Sequence, residues 1–253
     1  MTRLWRAEWR KLMTTRLWWG MLLGAVALAA LGVVAQIASN GVKGNFSTPL
    51  SAGTTQRQIA ASASSGYLFS IVVGIIMITT EFRHFTSRPT FLIEPRRGRV
   101  IIAKLLMSVV IGVIYGVACA GTAAAIMIPW LAAKHVTIGW FSDDVFRALI
   151  GAVLVITIFT VVGVGVGVLV RNQIAAVIGA LAYLFVAEPL ISIIPVVKEA
   201  YRYLPGAAAA AIDGASRGQV ELVTALQGCL LLLAWGLLFA VCGWVFTVRR
   251  DIP

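Results

Sequence analysis

The chain has 253 residues, 60% of them hydrophobic and only 12% charged, with a formal net charge of +11 and a mean hydropathy of +0.92. Soluble domains carry roughly 25% charged and 45–50% apolar residues, so a water-exposed fold would leave much apolar surface uncovered and lipid is the better solvent. The length allows one domain, or at most two. The positive charge is gathered around apolar runs instead of being spread along one helix, which suits anionic lipid headgroups and argues against nucleic acid as a partner.

The first sixteen residues read as an interfacial helix. At about 100° per residue, Trp5, Trp9, Leu12 and Met13 share one face, and Arg3, Arg6 and Arg10 share another. Trp rings favour the headgroup level, and an Arg6–Arg10 face suits lipid phosphates or a protein partner; a plain topology anchor would look much the same. A cleaved signal peptide fits less well. The apolar run that follows is longer than an ordinary signal core and shows no clear cleavage site.

A helix needs about 20 apolar residues to cross the hydrocarbon layer. Six stretches qualify: 17–37, 59–80, 105–131, 148–170, 174–197 and 222–247. They are apolar all round, without the period-2 alternation of barrel strands. The expected fold is therefore all-α, a single polytopic domain over 1–253 with six transmembrane helices. Orientation follows the positive residues. The N-terminal side holds Arg3, Arg6, Arg10, Lys11, Arg16, Arg83, Arg88, Arg96, Arg97, Arg99, Lys104, Arg171, Arg249 and Arg250, against Lys43, Arg57, Lys134, Arg147, Lys198, Arg202 and Arg217 opposite, 14 against 7. Both termini are expected in the cytoplasm, with the protein in the plasma membrane.

The second span has the most polar interior, with Ser62, Ser64, Ser65, Tyr67 and Ser70. Ser65 and Tyr67 are candidates for a substrate path or gate, although hydrogen bonding between helices explains the serines equally well. Tyr115, Trp130, Tyr183 and Phe185 could add an aromatic lining, or could be ordinary packing and interfacial residues.

Residues 81–104, EFRHFTSRPTFLIEPRRGRVIIAK, combine six Lys or Arg with three Phe. Topology alone asks for neither Phe82, Phe85, Phe91 and Leu92 nor a loop of this length. Apolar side chains held among charges outside the bilayer suit a protein partner's groove, or a helix lying on the interface.

In the fourth span, Gly163 and Gly167 form a small-xxx-small pair that lets helices approach closely in lipid, within one subunit or between two. Glu188 is the one ionisable residue inside an expected span, and an intramembrane acid is a functional candidate by default. It lies roughly 20 Å along the fifth span at 1.5 Å per residue, just before Pro189, where the helix is expected to bend or break. Glu188 could accept backbone N–H groups freed there, pair with Arg202, or line an exit path for a cationic substrate. Residues 198–221, polar and Ala-rich, are expected to form a short exofacial lid.

Cys119, Cys229 and Cys242 lie inside spans with no metal or disulfide spacing, and His84 and His135 fall on opposite sides of the membrane. No phosphate-binding loop, nucleophile elbow or zinc-protease motif is present. No catalytic or metal-ligating residue is assigned, and no cofactor is expected on this chain.

The pieces EFRHFT (81–86), TFL (90–92), PRRGRV (95–100) and AK (103–104) resemble the segment between the second and third helices of ABC-2 type permease subunits, particularly those of high-GC Gram-positive bacteria. The interfacial N-terminal helix, the six spans and GVGVGVLVRNQIAAV (163–177) agree with that resemblance. It implies that 81–99 is a cytoplasmic coupling helix docking on a separate ATP-binding subunit, which would hold ATP and magnesium. Carried over by position, Glu81 marks the exit from the second helix, Thr86, Thr90, Phe91 and Leu92 lie on or beside the docking helix, and these residues together with Phe82 and Arg83 are the implied ATPase-coupling set. It further implies an exporter whose pathway is built by two copies, or by one with a similar permease. Phe85 departs from the pattern, since these permeases often have Gly there, and Phe resists the sharp turn that Gly permits. Two other classes stay open. A membrane scaffold or immunity protein would bind an ATPase without ATP-driven flux, and an ATP-independent carrier would need no ATPase.

Overall fold

In hydrocarbon every backbone N–H and C=O must find its partner within the protein, which restricts an apolar chain of this kind to helices. The computed structural model describes residues 9–10, 15, 17–40, 49–83, 97–142, 144–170, 172–194, 198–214 and 222–249, and helices are its only regular elements among them. They are α1 (Leu17–Ser39), α2 (Gly53–Ala61), α3 (Tyr67–Arg83), α4 (Arg97–Ala133), α5 (Val145–Val170), α6 (Gln173–Ala182), α7 (Glu188–Ile193), α8 (Lys198–Tyr201), α9 (Pro205–Asp213) and α10 (Ala225–Arg249). A 3₁₀ turn (Ser62–Gly66) joins α2 to α3, and a π turn (Tyr183–Ala187) joins α6 to α7. Six of the resulting rods are long and apolar enough to cross a bilayer. The chain is a multi-pass helical membrane protein.

The fourth span, α5, is the axis of the bundle. Sixteen of its 26 residues are buried, and it packs against α3, α4 and α10. Lipid supplies no hydrophobic drive for such packing, so close backbone approach has to supply dispersion contact instead. Glycines make the approach possible. A Cβ on Gly163 would collide with the Ile71 carbonyl of α3, and one on Gly74 with the Thr160 carbonyl of α5. A Cβ on Gly112 would stand 2.5 Å from Thr157 Cα, and one on Gly165 2.6 Å from Phe239 Cβ. The first, fifth and sixth spans are peripheral, each with 22% of its apolar window buried against 61% for the fourth. Their outer faces carry exposed Leu23, Leu31, Ile178, Phe185, Leu230 and Leu237, the surface that lipid covers.

Two expectations change. The second helix begins at Gly53, six residues before the apolar run, because Thr55 and Gln56 are buried there. The fifth span does not break at Glu188–Pro189: it stays helical to Ile193, and Pro189 is accommodated by the π turn before it. Pro189 has no N–H, and its ring crowds the carbonyl four residues back. The Glu188 N–H bonds to the Tyr183 carbonyl, closing a wider turn. The helix ends at Ile194, in extended conformation (ψ 117°), as the residue before a proline prefers.

Candidate functional site

The segment expected as a lid contains α9, and all nine of its residues, Pro205 to Asp213, are buried. Its sequence, PGAAAAAID, explains how. Side chains this small let it lie between α10 and α5, close enough that a Cβ on Gly228 would stand 2.7 Å from the Ala208 carbonyl. Gly214 closes it in the left-handed conformation (φ 69°), the usual glycine stop.

The N-terminus of α9 has no side-chain cap of its own. Glu188, 1% exposed, supplies one from the fifth span: its Oε1 accepts the Ala207 N–H at 2.8 Å. A carboxylate here neutralises an orphan donor and faces the positive end of the helix dipole. Gly206 leaves the room, since a Cβ on it would lie 2.6 Å from both carboxylate oxygens. The π turn contributes the aim. Ala176, Ala180, Leu184 and Glu188 are the buried positions of this span. A row spaced by four drifts about 40° per step in an unbroken α-helix, and the wider turn offsets that drift. Of the three roles considered for Glu188, the geometry realises backbone capping, on α9 instead of on its own helix. Arg202 lies over the Tyr203 ring, 4.8 Å from its centroid.

At the other end of α9, Asp213 Oδ2 accepts the Ser64 hydroxyl at 2.5 Å. Asp213 also faces a cleft of about 470 Å³ between α1, α2 with its 3₁₀ turn, and α9. Gln36, Gln58, Ser62, Ser65 and Tyr67 line that cleft. The structure thus brings Ser65 and Tyr67 together with Asp213, and leaves Glu188 outside, one helix length away. Ser65 donates to the Ser62 carbonyl at 2.8 Å, and the Tyr67 ring packs on Phe159 at 4.6 Å between centroids. Ser70 instead ties α3 to α5 through the Ile156 carbonyl at 3.0 Å.

The aromatic residues offered as lining lie elsewhere. Tyr115 is buried between α4 and α1, donating to the Trp18 carbonyl at 2.6 Å, and Phe185 is 60% exposed on the outer face. Gly163 and Gly167 face α3 within the same chain, Gly167 against Ile75 and Ile78. Lys104, counted above as a topology charge, is buried in α4 at 1% exposure.

Trp9 is helical and packs on the cluster around Tyr115 and Met107, and Arg10 is exposed. Trp5, Arg6, Thr86, Thr90, Phe91 and Leu92 lie outside the described residues. Glu81, Phe82 and Arg83 are described only as the last turn of α3.

Gln56 was not singled out in the sequence. It is 1% exposed, donates to the carbonyls of Thr137 at 2.9 Å and Leu50 at 3.3 Å, and accepts from the Gly139 N–H at 3.0 Å. It therefore ties the loop after α4 to the start of α2.

No protein-family model matches the chain, and no curated protein matches it. The fold and the site define a helical membrane protein with a half-open polar cleft between its helices.

Proposed function

We propose that the chain is the membrane-spanning subunit of an ATP-driven exporter of the ABC-2 type, in the plasma membrane with both termini cytoplasmic. The observation that carries the reading is the cleft. Lipid-embedded bundles keep polar side chains facing inward for paths and sites, and this one gathers Gln58, Ser62, Ser65, Tyr67 and Asp213 around about 470 Å³. The ATP-driven part rests on the resemblance of residues 81–104. A second copy, or a similar permease, would complete the pathway, and a separate ATPase would bind the 81–99 segment. ATP can bias the bundle only if that segment makes different contacts with the ATPase in the two states. The 14-to-7 distribution of Lys and Arg supports the orientation.

The test is the double substitution Phe91→Ala with Leu92→Ala, assayed in vesicles containing the chain and its co-purified ATPase. The variant should insert normally and lose ATP-driven flux. Unchanged flux with unchanged ATPase binding would overturn the assignment, and a chain that purifies from mild detergent with no ATPase would remove its motor.

A further inference from the structure

We infer that the groove between the α8–α9 turn and the start of α10 holds one anionic phospholipid of the surrounding membrane. Arg202 meets its phosphate, and an acyl chain lies along α10. The groove is separate from the polar cleft, and the inference does not rest on the exporter reading.

The groove encloses about 580 Å³, and its lining includes Arg202, Tyr203, Thr224, Gln227, Leu230 and Ala234. Arg202 is held in place. Its guanidinium carbon lies 4.8 Å over the Tyr203 ring, and the turn carrying both residues is tied down on two sides. Tyr203 and Leu204 donate their backbone N–H groups to the carbonyls of Ala200 and Tyr201, and Tyr201 is buried. From α10, Trp235 donates its indole N–H to the Tyr203 carbonyl at 2.9 Å. Thr224 and Gln227 close the first turn of α10 reciprocally. Gln227 Oε1 accepts the Thr224 N–H at 3.1 Å, and Thr224 Oγ1 accepts the Gln227 N–H at 3.4 Å. The Gln227 oxygen is thus engaged, which leaves the NH₂ end of that amide as a second donor beside Arg202.

From Gln227 onward the lining turns apolar along one face of α10. Leu230, Leu231 and Ala234 follow at spacings of three and four, the separation that puts residues on one side of a helix. Leu238 and Val241 continue the row, and Leu230, Ala234, Leu238 and Val241 are all exposed. At 1.5 Å per residue the row from Gln227 to Val241 runs about 21 Å, enough for the roughly 15 Å of one hydrocarbon leaflet. The polar end therefore stands at headgroup depth, on the membrane face opposite the start of α1. Tyr203 and Trp235 beside it are the aromatic types that favour that level.

Charge selects the headgroup. A guanidinium fork matches phosphate geometry, and the positive end of the α10 dipole adds to it. A soluble anion would use the polar end and leave the apolar row unused, whereas a phospholipid engages both. The acids on the flanking segments are Glu199, exposed three residues before Arg202, and Glu221, which lies outside the described residues. The inference does not require either to be distant, because a guanidinium carries five N–H donors and can serve a phosphate beside a carboxylate.

The experiment titrates the purified full chain in dodecyl maltoside with dioleoylphosphatidylglycerol or dioleoylphosphatidylcholine, counting retained lipid by native mass spectrometry. The first phosphatidylglycerol should bind about fivefold tighter than phosphatidylcholine, the preference that one basic residue gives at a lipid surface. Arg202→Gln should abolish that preference. Lys134→Gln, at an exposed lysine on the same membrane face, should not. Ala234→Phe should fill the apolar floor and lower retention of phosphatidylglycerol several-fold. Equal retention of the two lipids by wild type overturns the proposal, as does an unchanged preference in a folded Arg202→Gln protein. Equal losses in Arg202→Gln and Lys134→Gln also overturn it, showing diffuse surface charge instead of a site. Displacement of phosphatidylglycerol by glycerol phosphate overturns it in favour of a soluble anion. If Arg202→Gln does not fold, the wild-type preference and Ala234→Phe decide, and unchanged retention in Ala234→Phe overturns the proposal.

Discussion

Glu188 and Ala207, nineteen residues apart, meet at the first turn of α9, where the carboxylate accepts the backbone N–H at 2.8 Å. The fifth span thereby caps a helix that has no cap of its own. Replacing Glu188 by Ala strands a buried donor, at a cost of about 1–3 kcal/mol. Glu188→Gln keeps an acceptor and loses only the charge–dipole part, ~0.3–2 kcal/mol. Thermal unfolding in detergent should rank the proteins Glu188, then Gln, then Ala. Coincident midpoints for wild type and Glu188→Ala would show that the cap contributes nothing.

Gly206→Ala should act on the same contact from the other side. Its Cβ would sit 2.6 Å from both carboxylate oxygens, so Glu188 must withdraw. Changes to groups in direct contact are not additive. Gly206→Ala combined with Glu188→Ala should therefore be less destabilised than the sum of the single substitutions, measured by the same unfolding transition. Strict additivity would mean that the two residues act independently.

The seam between α3 and α5 predicts a contrast among glycines. Gly163→Val drives a side chain into the Ile71 carbonyl, and overpacking of this kind costs about 1–3 kcal/mol or more. Gly179→Ala places a methyl where nothing lies within 4 Å, and the gain in helix propensity is at most about 1 kcal/mol. After heating and size-exclusion chromatography, Gly163→Val should lose its monodisperse peak well below the wild-type temperature, and Gly179→Ala should not. Similar survival of both variants would contradict the close approach.

Gln56 predicts a local effect. Gln56→Leu keeps the bulk but leaves the Thr137 carbonyl and the Gly139 N–H without the side chain that holds them. The loop should open more often, and trypsin should cut after exposed Lys134 several-fold faster, as expected for a loss of about 1 kcal/mol. An unchanged cleavage rate would mean that the loop is held by other contacts.

The six spans were legible because lipid imposes a single requirement, length and apolarity, that hydropathy measures directly. Glu188 was legible for the same reason, as a charge within an apolar run. Its partner was not, because the donor is a backbone N–H nineteen residues on, and no side-chain pattern announces it. Gln56 and Asp213 lie in stretches whose polarity is ordinary for loops, so composition placed them outside the bundle. The run GAAAAAI (206–212) was ambiguous in itself, since alanine suits a solvated helix and a buried one equally. A signal was present in the flanking Gly206 and Gly214: a helix of minimal side chains between two glycines is shaped for insertion between neighbours. The π turn at 183–187 was visible only as its cause, Pro189. A proline shows that a hydrogen bond is lost, not how the chain redistributes the strain.

Among the described residues, α9 carries nothing on its flanks larger than Ile212. Its outline is therefore nearly a smooth cylinder. Interlocking ridges, which fix most helices along their length, are largely missing, and a smooth rod resists axial sliding only where it abuts something. Those abutments are Glu188 at one tip and Ser64 with Arg57 at the other. The depth of Asp213 in the cleft is thus set by end stops on two different spans.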